Sequence, residues 1–311
     1  MADKVTFKVA TEEEIVVVRQ RIGTTEDDIR QAVSNLRSWL EAQPHLPHVM
    51  ADGRLERLYV SCKCSIEKTK KTLDAYYTLK KKFPDIMMNR DPASPEITQL
   101  HKQLTVLTVP RMTEDCNRVS YLLNITPDAS ILNLPQAIKA MLMAVEFILS
   151  FDYSVGYIFL VDLKNVTAAH VTKASVRDIW SLETISRKAY SKRIVALHFT
   201  NATKIIGMVL SVVYPALPPK LRKRVHIHLP GSETLFEHVP KSFLPNEMGG
   251  TAGPAQEMMD AVINSMVDLR EWFLEEDRYI ADESKRPPEN SYKNDYDLFG
   301  MDGSFKKLQL D

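Results

Sequence analysis

The chain has 311 residues, of which 44% are hydrophobic and 26% charged, a composition typical of a globular protein. Its 40 basic and 40 acidic side chains give a formal net charge of zero, which argues against a nucleic-acid-binding protein that depends on overall positive charge. No early segment predicts a signal peptide, and no run reaches the ~18 uninterrupted apolar residues of a membrane span. Three cysteines without C-x-x-C spacing are typical of a reduced, cytosolic protein.

The first third of the chain predicts a small helical bundle. Helical periodicity begins at Asp27 and stops at Pro44, and the polar residues before it have no clear role. Two further helices follow, the second capped by Ser65. The rigid, polar connector Asp91–Pro95 marks a boundary, so residues 1–95 are expected to form an N-terminal helical lobe.

Strand and helix patterns alternate beyond the connector. Short β-branched runs predict strands, and longer runs with helical periodicity predict helices. The predicted order is strands at 104–109 and 118–123, a helix from Pro135, a central strand over 156–163, a helix over 175–188, a strand at 194–199, an apolar helix over 205–214 and a strand at 225–229. This alternation predicts an α/β fold with a mixed, mainly parallel sheet flanked by helices.

The end of the chain predicts a third region, residues 254–311. The turn Leu244–Gly250 closes the α/β domain, which is expected to span residues 96–253. One long helix is expected from about Pro254 to Ile280. The polar tail beyond it ends in aromatic residues, which predict a tail docked on the protein.

The apolar helix over residues 205–214 is the most informative segment. It is apolar on nearly every side, with Thr203 expected as its N-cap. Such a helix must be buried on two sides, with one face on the protein and the other on a ligand, a partner or a bilayer. A proline-rich turn follows, and then four cations within five residues, Lys220, Arg222, Lys223 and Arg224. An apolar helix followed by a basic segment is typical of a surface that binds transiently to an anionic membrane. A core helix followed by an ordinary solvated charge run has the same pattern.

Catalytic signatures are missing from the sequence. It contains no G-x-S-x-G elbow, no G-x-G-x-x-G after a strand and no P-loop. His226 and His228 alternate on a predicted strand and share one face, as two metal ligands would, but no third ligand lies near them in sequence. Asp162 ends a predicted strand, where a catalytic acid or a helix cap could lie. We therefore predict no enzyme, metal site or cofactor.

Four segments in the correct order make the sequence resemble the CRAL-TRIO lipid-binding family. Asp52–Leu55 resembles part of the family's N-terminal bundle, and Gly156–Leu163 resembles its G-x-x-x-x-x-D-L strand. Tyr190–Asn201 resembles its H-x-x-N segment, and Leu244–Gly250 its LP-x-E-[YF]-GG signature. The segment Phe299–Leu308 resembles the ending of insect members, so the resemblance covers nearly the whole chain.

The resemblance implies a hydrophobic pocket under the 205–214 helix, which family members use as a mobile gate. The implied ligand is a tocopherol, retinoid, carotenoid or phospholipid, carried between membranes by a monomer. A phosphoinositide-responsive regulatory module without transfer activity is the alternative. The expected pocket residues are Met143, Phe147, Val161, Val166, Ile185, Tyr190, Ile194, Ile205, Val209 and Val213.

The resemblance also implies a basic patch beside the gate that binds phosphoinositides on an anionic membrane surface. Two of the family's patch positions carry no cation here, since they fall on Val195 and Cys62. The protein is accordingly expected to be cytoplasmic and transiently peripheral at membranes. The expected patch comprises Arg193, Lys220, Arg222, Lys223 and Arg224.

Overall fold

A five-stranded sheet organises the computed structural model, which describes residues 7–109, 111–124 and 126–288. In spatial as well as chain order the strands are β1 (Leu104–Thr108), β2 (Asn117–Asn124), β3 (Gly156–Asp162), β4 (Ile194–Thr200) and β5 (Val225–Ile227). β1 and β2 pair antiparallel, and each later pair is parallel. This confirms the predicted mixed, mainly parallel sheet of an α/β fold.

Helices cover both faces of the sheet and form the N-terminal lobe. The lobe contains α1 (Glu12–Ile22), α2 (Glu26–Glu41), α3 (Asp52–Ser61), α4 (Ile66–Lys82) and α5 (Pro84–Met87). The helices that follow are α6 (Pro95–His101), α7 (Leu134–Phe151), α8 (Ala168–Lys173), α9 (Val176–Lys188), α10 (Ile206–Ala216), α11 (Pro219–Arg222), α12 (Ala255–Asp268) and α13 (Arg270–Glu276).

β3 is the central strand, third of the five, and its two faces meet different apolar layers. Leu160 packs in the cluster formed with α12, whereas Phe159 and Val161 face the layer that includes α10. The strand begins at Gly156, where an added Cβ would lie 2.6 Å from the Val195 side chain. β4 can approach this closely only because a glycine stands there.

A buried polar network joins the lobe to the rest of the molecule. Its centre is Glu146 on α7, which has no exposed surface. Glu146 accepts hydrogen bonds from Arg54 at 2.7 Å and from Tyr190 at 3.0 Å, and also from Tyr76 and Arg90. A buried carboxylate is tolerated only when it is paired and hydrogen-bonded in this way.

Glu276 on α13 completes the network from the far end of the chain. It pairs with Arg54 at 2.9 Å and with Lys80 at 3.1 Å. The network therefore connects α3 and α4 of the lobe with α7 and with α13.

Two sequence predictions about elements are wrong. The residues before Asp27, for which the sequence indicated no clear role, form α1, which begins with a capping box between Thr11 and Glu14. The expected long C-terminal helix is broken at Leu269 into α12 and α13. Thr203 is not the N-cap of α10, since Ile205 occupies that position without a side-chain hydrogen bond. The predicted docking tail lies outside the described residues.

One helix, α7, is long and apolar enough to cross a membrane by length and composition. In the structure, 72% of it is buried against the sheet, the lobe and α12. Such burial is typical of the core helix of a folded domain.

Candidate functional site

A cavity of about 950 Å³ is enclosed by the sheet and by α4, α7, α9 and α10. Ligand cavities of this size accommodate a lipid-sized molecule. Its lining is mostly apolar. The sheet contributes Val106, Leu122, Phe159, Val161, Leu197 and Phe199, and α7 contributes Leu134, Ile138, Met141 and Val145.

α10 closes the cavity with only one of its faces. Val209, Val212 and Val213 line the cavity, whereas Met208 on the outer side is 41% exposed. The cavity-facing side of the helix is buried as expected, and contact of the exposed outer face with a partner or a bilayer stays a prediction. A helix held along one face, with no side-chain N-cap, has few interactions to break when it moves.

Half of the predicted pocket residues lie on the cavity wall. These five are Val161, Val166, Ile194, Val209 and Val213. Of the others, Met143 and Phe147 lie on a different face of α7, in the core shared with α6 and α12. Ile185 is buried in the core formed with the lobe, and Ile205 packs at the start of α10.

Tyr190 has a protein partner instead of the predicted contact with a ligand. It is fully buried in the core formed with the lobe, and burial raises the pKa of its hydroxyl. The hydroxyl donates to Glu146 at 3.0 Å, and the ring packs edge-on against Tyr76. Tyr190, expected among the pocket residues, thus belongs to the buried network instead.

Two hydroxyl groups lie among apolar side chains where the sheet lines the cavity. Thr108 on β1 and Ser120 on β2 are register partners, and both line the cavity. Their side-chain oxygens are 2.9 Å apart, and the residues are 3% and 4% exposed. We refer to these two side chains as the hydroxyl pair.

Cations from the N-terminal lobe and from the α/β domain line the cavity, and we call five of them the rim. The rim cations are Lys63, Lys68, Arg193, Lys220 and Arg224, and all five line the cavity. They are close enough to affect one another, since the charge of Arg193, followed by burial and the other rim cations, lowers the pKa of Lys63. The sequence interpretation missed the two lobe lysines, although Lys63 directly follows the patch position at Cys62.

Two predicted patch residues do not line the cavity. Arg222 and Lys223 are exposed, and the Nε of Arg222 donates to the Leu217 carbonyl at 2.9 Å. Arg222 thereby stabilises the turn between α10 and α11. The lobe lysines Lys63 and Lys68 line the cavity instead.

Four imidazole rings lie together on the sheet face opposite the cavity, and we call them the histidine cluster. They belong to His198, His226, His228 and His238, with ring centroids 4.4–6.0 Å apart. His198 Nδ1 and His228 Nε2 are hydrogen-bonded at 2.9 Å. Burial, followed by the neighbouring rings, lowers the pKa of His198 to about 3.

The histidine cluster is not arranged around a common point. His198 stacks on His226 with an angle of 16° between the ring planes, so their nitrogens do not converge. Within the described ranges, no group of three or more His, Cys, Asp or Glu side chains has the arrangement of a metal site.

An α/β sheet and a half-exposed helix around an apolar cavity define a hydrophobic-ligand-binding protein. Residues 102–250 match the CRAL/TRIO domain family, and residues 25–97 match the Pinta-like, UBA domain family. The chain thus contains a CRAL/TRIO domain preceded by a Pinta-like domain. This confirms the resemblance that the four sequence segments indicate.

Similar proteins support the same assignment. The human alpha-tocopherol transfer protein-like protein is 25% identical over 251 residues, which cover 78% of this chain and 71% of the relative. Mouse clavesin-2 is 20% identical over 240 residues, which cover 76% and 73%. The crystal structure of Sfh5 aligns with a TM-score of 0.50 and 15% identity over 80% of this chain and 98% of that chain, and supports the fold alone.

Proposed function

We propose that the protein binds a small hydrophobic ligand in this cavity and transfers it between membranes, with α10 as the gate. The CRAL/TRIO domain implies hydrophobic ligand binding, and its members are generally carriers rather than enzymes. The ligand belongs to the tocopherol, retinoid, carotenoid or phospholipid class. The single observation that carries the proposal is the apolar cavity closed by one face of a half-exposed helix.

The energetics explain why such a carrier needs a gate. A ligand that buries about 400 Å² of apolar surface gains about 10 kcal/mol relative to water. Taking the ligand from a bilayer recovers much less, because its tail is already out of water. Extraction is therefore limited by a barrier, and contact between the exposed face of α10 and the bilayer lowers that barrier.

The cationic rim supports docking on an anionic membrane surface. Each basic residue near such a surface contributes roughly 1 kcal/mol. The five rim cations lie beside the cavity opening, where phosphoinositide headgroups would meet them. We accordingly propose a cytoplasmic monomer that is transiently peripheral at membranes and has no catalytic activity.

The test is to extract and identify the molecules that purify with the protein from cells, using mass spectrometry. Val161→Trp places a bulky indole ring in the cavity and obstructs it, and Val267→Trp is the matched control on the exposed side of α12. Wild type and the control are expected to release an apolar molecule that Val161→Trp, checked by thermal melting, lacks. Repeated wild-type preparations without such a molecule, and without lipid uptake from vesicles, would refute the proposal.

The regulatory module without transfer activity predicts a different outcome. In that case Val161→Trp would bind phosphoinositide vesicles and protein partners as wild type does. Transfer of a labelled lipid between donor and acceptor vesicles separates the two functions, because only the carrier loses activity when its cavity is obstructed.

A further inference from the structure

The hydroxyl pair is embedded in the most apolar part of the cavity floor. On the same face of β1 and β2, the next register pair is Val106 and Leu122, and on β3 the partner of Ser120 is Phe159. All three of these neighbours line the cavity. Polar groups placed in such surroundings are costly unless they are hydrogen-bonded.

One of the two hydroxyl protons of the pair takes part in no hydrogen bond within the described residues. Two hydroxyl groups carry two protons, and their mutual hydrogen bond uses one of them. Within the described residues, neither Thr108 nor Ser120 has another hydrogen-bond partner. Whichever hydroxyl donates to the other, the second proton has no protein acceptor.

The pair is chemically distinct from the cationic rim. The rim consists of charged side chains suited to a phosphate, of which Arg193 is partly buried and the other four are exposed. The hydroxyl pair is neutral and buried, so it suits a neutral oxygen. It can donate one hydrogen bond to a carbonyl, and it can also accept one from a ligand hydroxyl.

We propose that Thr108 and Ser120 form a subsite for an oxygen atom of the ligand, which is therefore an alcohol, ketone or ester rather than a pure hydrocarbon. The proposal rests on the proposed function, because it requires a ligand in the cavity. It restricts the ligand class from any hydrophobic molecule to an oxygenated lipid whose oxygen lies at the sheet floor.

The decisive variant is Thr108→Val combined with Ser120→Ala. Replacing both partners of a buried hydrogen bond by apolar groups of similar shape is nearly neutral for stability, so the variant is expected to fold. Thr105→Val is the matched control, since Thr105 lies on the same strand, is equally buried and does not line the cavity.

Three probes of equal chain length distinguish the contribution of the oxygen atom to affinity from that of the hydrocarbon tail. They are 2-hexadecanol, 2-hexadecanone and hexadecane. Their affinities are measured by displacement of the neutral fluorophore N-phenyl-1-naphthylamine. The affinity ratio of alcohol or ketone to hydrocarbon is expected to fall about tenfold in the double variant. The ratio should be unchanged in Thr105→Val.

An infrared spectrum of bound 2-hexadecanone tests the subsite in the wild-type protein. A hydrogen-bonded carbonyl absorbs at lower wavenumber than the same ketone dissolved in hexadecane. An unshifted band, or an affinity ratio that survives in the double variant, would overturn the subsite while leaving the carrier function intact. If the fluorophore and all three probes fail to bind the wild type, the proposed function itself is refuted.

Discussion

Tyr190 shows how a buried hydroxyl acquires its role from its neighbours. In the sequence it lies in the segment that resembles the family's H-x-x-N region, which indicates a place beside the ligand. In the structure its hydroxyl donates to the carboxylate of Glu146, inside a network that also binds Arg54 and Arg90. Tyr190 therefore contributes to the buried network that joins the lobe to the rest of the molecule.

Tyr190→Phe is expected to lower the free energy of unfolding by about 2 kcal/mol, because a buried carboxylate loses a donor. It should leave the preference among ligands unchanged. Chemical denaturation measures the first effect and probe displacement the second. Tyr279→Phe is the control, since Tyr279 makes a comparable bond to Glu275 that is exposed. A change in ligand preference without loss of stability would contradict this role.

The sequence does not show which of the two apolar faces of α7 lines the cavity. Ile138, Met141 and Val145 share one apolar face, and Met143 and Phe147 share another. Periodicity shows that both faces are buried but not what covers each. The structure places the first face on the cavity and the second in the core with α6 and α12. Only the tertiary contacts distinguish a cavity wall from a core.

At the scale of elements, the strands were predictable because each is a short apolar run between clear turns. The central strand predicted over 156–163 is observed as Gly156–Asp162. The order of the strands in the sheet could not be predicted, because the alternation of strands with helices is compatible with several strand orders. The gate helix was recognisable by its composition, which predicts one face on the protein and the other on a ligand, a partner or a bilayer. Which residues line the cavity and which meet solvent is decided only by the tertiary contacts.

Met208→Asp and Val209→Asp should affect different steps of the carrier cycle. Met208 is 41% exposed on the outer face of α10, so its replacement should slow lipid transfer between vesicles about tenfold without loss of ligand binding. Val209 lines the cavity, so an aspartate there should abolish ligand binding. Transfer kinetics and probe displacement on the same preparations check both expectations. Equal effects of the two variants would contradict the assigned faces.

Reversing the charge of Lys220 and Arg224 together is expected to weaken binding to anionic vesicles at least tenfold. The reason is that both cations belong to the rim. Raised salt should mimic the change, because exposed charges are screened within about 10 Å at 0.1 M. Vesicle co-sedimentation is the measurement.

Reversal of Arg222 and Lys223 is the matched control from the same cationic run. These residues do not line the cavity, and each pair contains one arginine that donates to a backbone carbonyl. The control pair should lose less affinity than the rim pair. Equal losses would show that only total charge matters and would remove the case for a specific rim.

The whole molecule is expected to lose stability in mild acid because of the histidine cluster. The folded-state pKa of His198 is lowered to about 3, chiefly by burial, whereas the unfolded chain binds a proton near 6.5. Stability contributed by the neutral ring is therefore complete above pH 6.5 and is lost as the pH falls towards 3. At pH 5 the shifted pKa of His198 alone is expected to lower the free energy of unfolding by about 2 kcal/mol relative to neutral pH.

Thermal melts between pH 7.5 and 5 measure this dependence. Burial also lowers the pKa values of His226 and His228, so they add to the loss in the same direction, while Glu237 acts on His228 in the opposite sense. His198→Asn should flatten the profile, and His48→Asn, an exposed control, should not change it. A melting temperature independent of pH in the wild type would contradict the expectation.

The buried network gives the chain an order of assembly. Arg54 and Lys80 become part of the nascent lobe early, yet their partner Glu276 lies 222 and 196 positions later in the sequence. Until α13 leaves the ribosome, Arg54 lacks one of its two carboxylate partners and Lys80 lacks its carboxylate partner in this network. Packing of the lobe interior is consequently expected to be completed only after α13 has been synthesised.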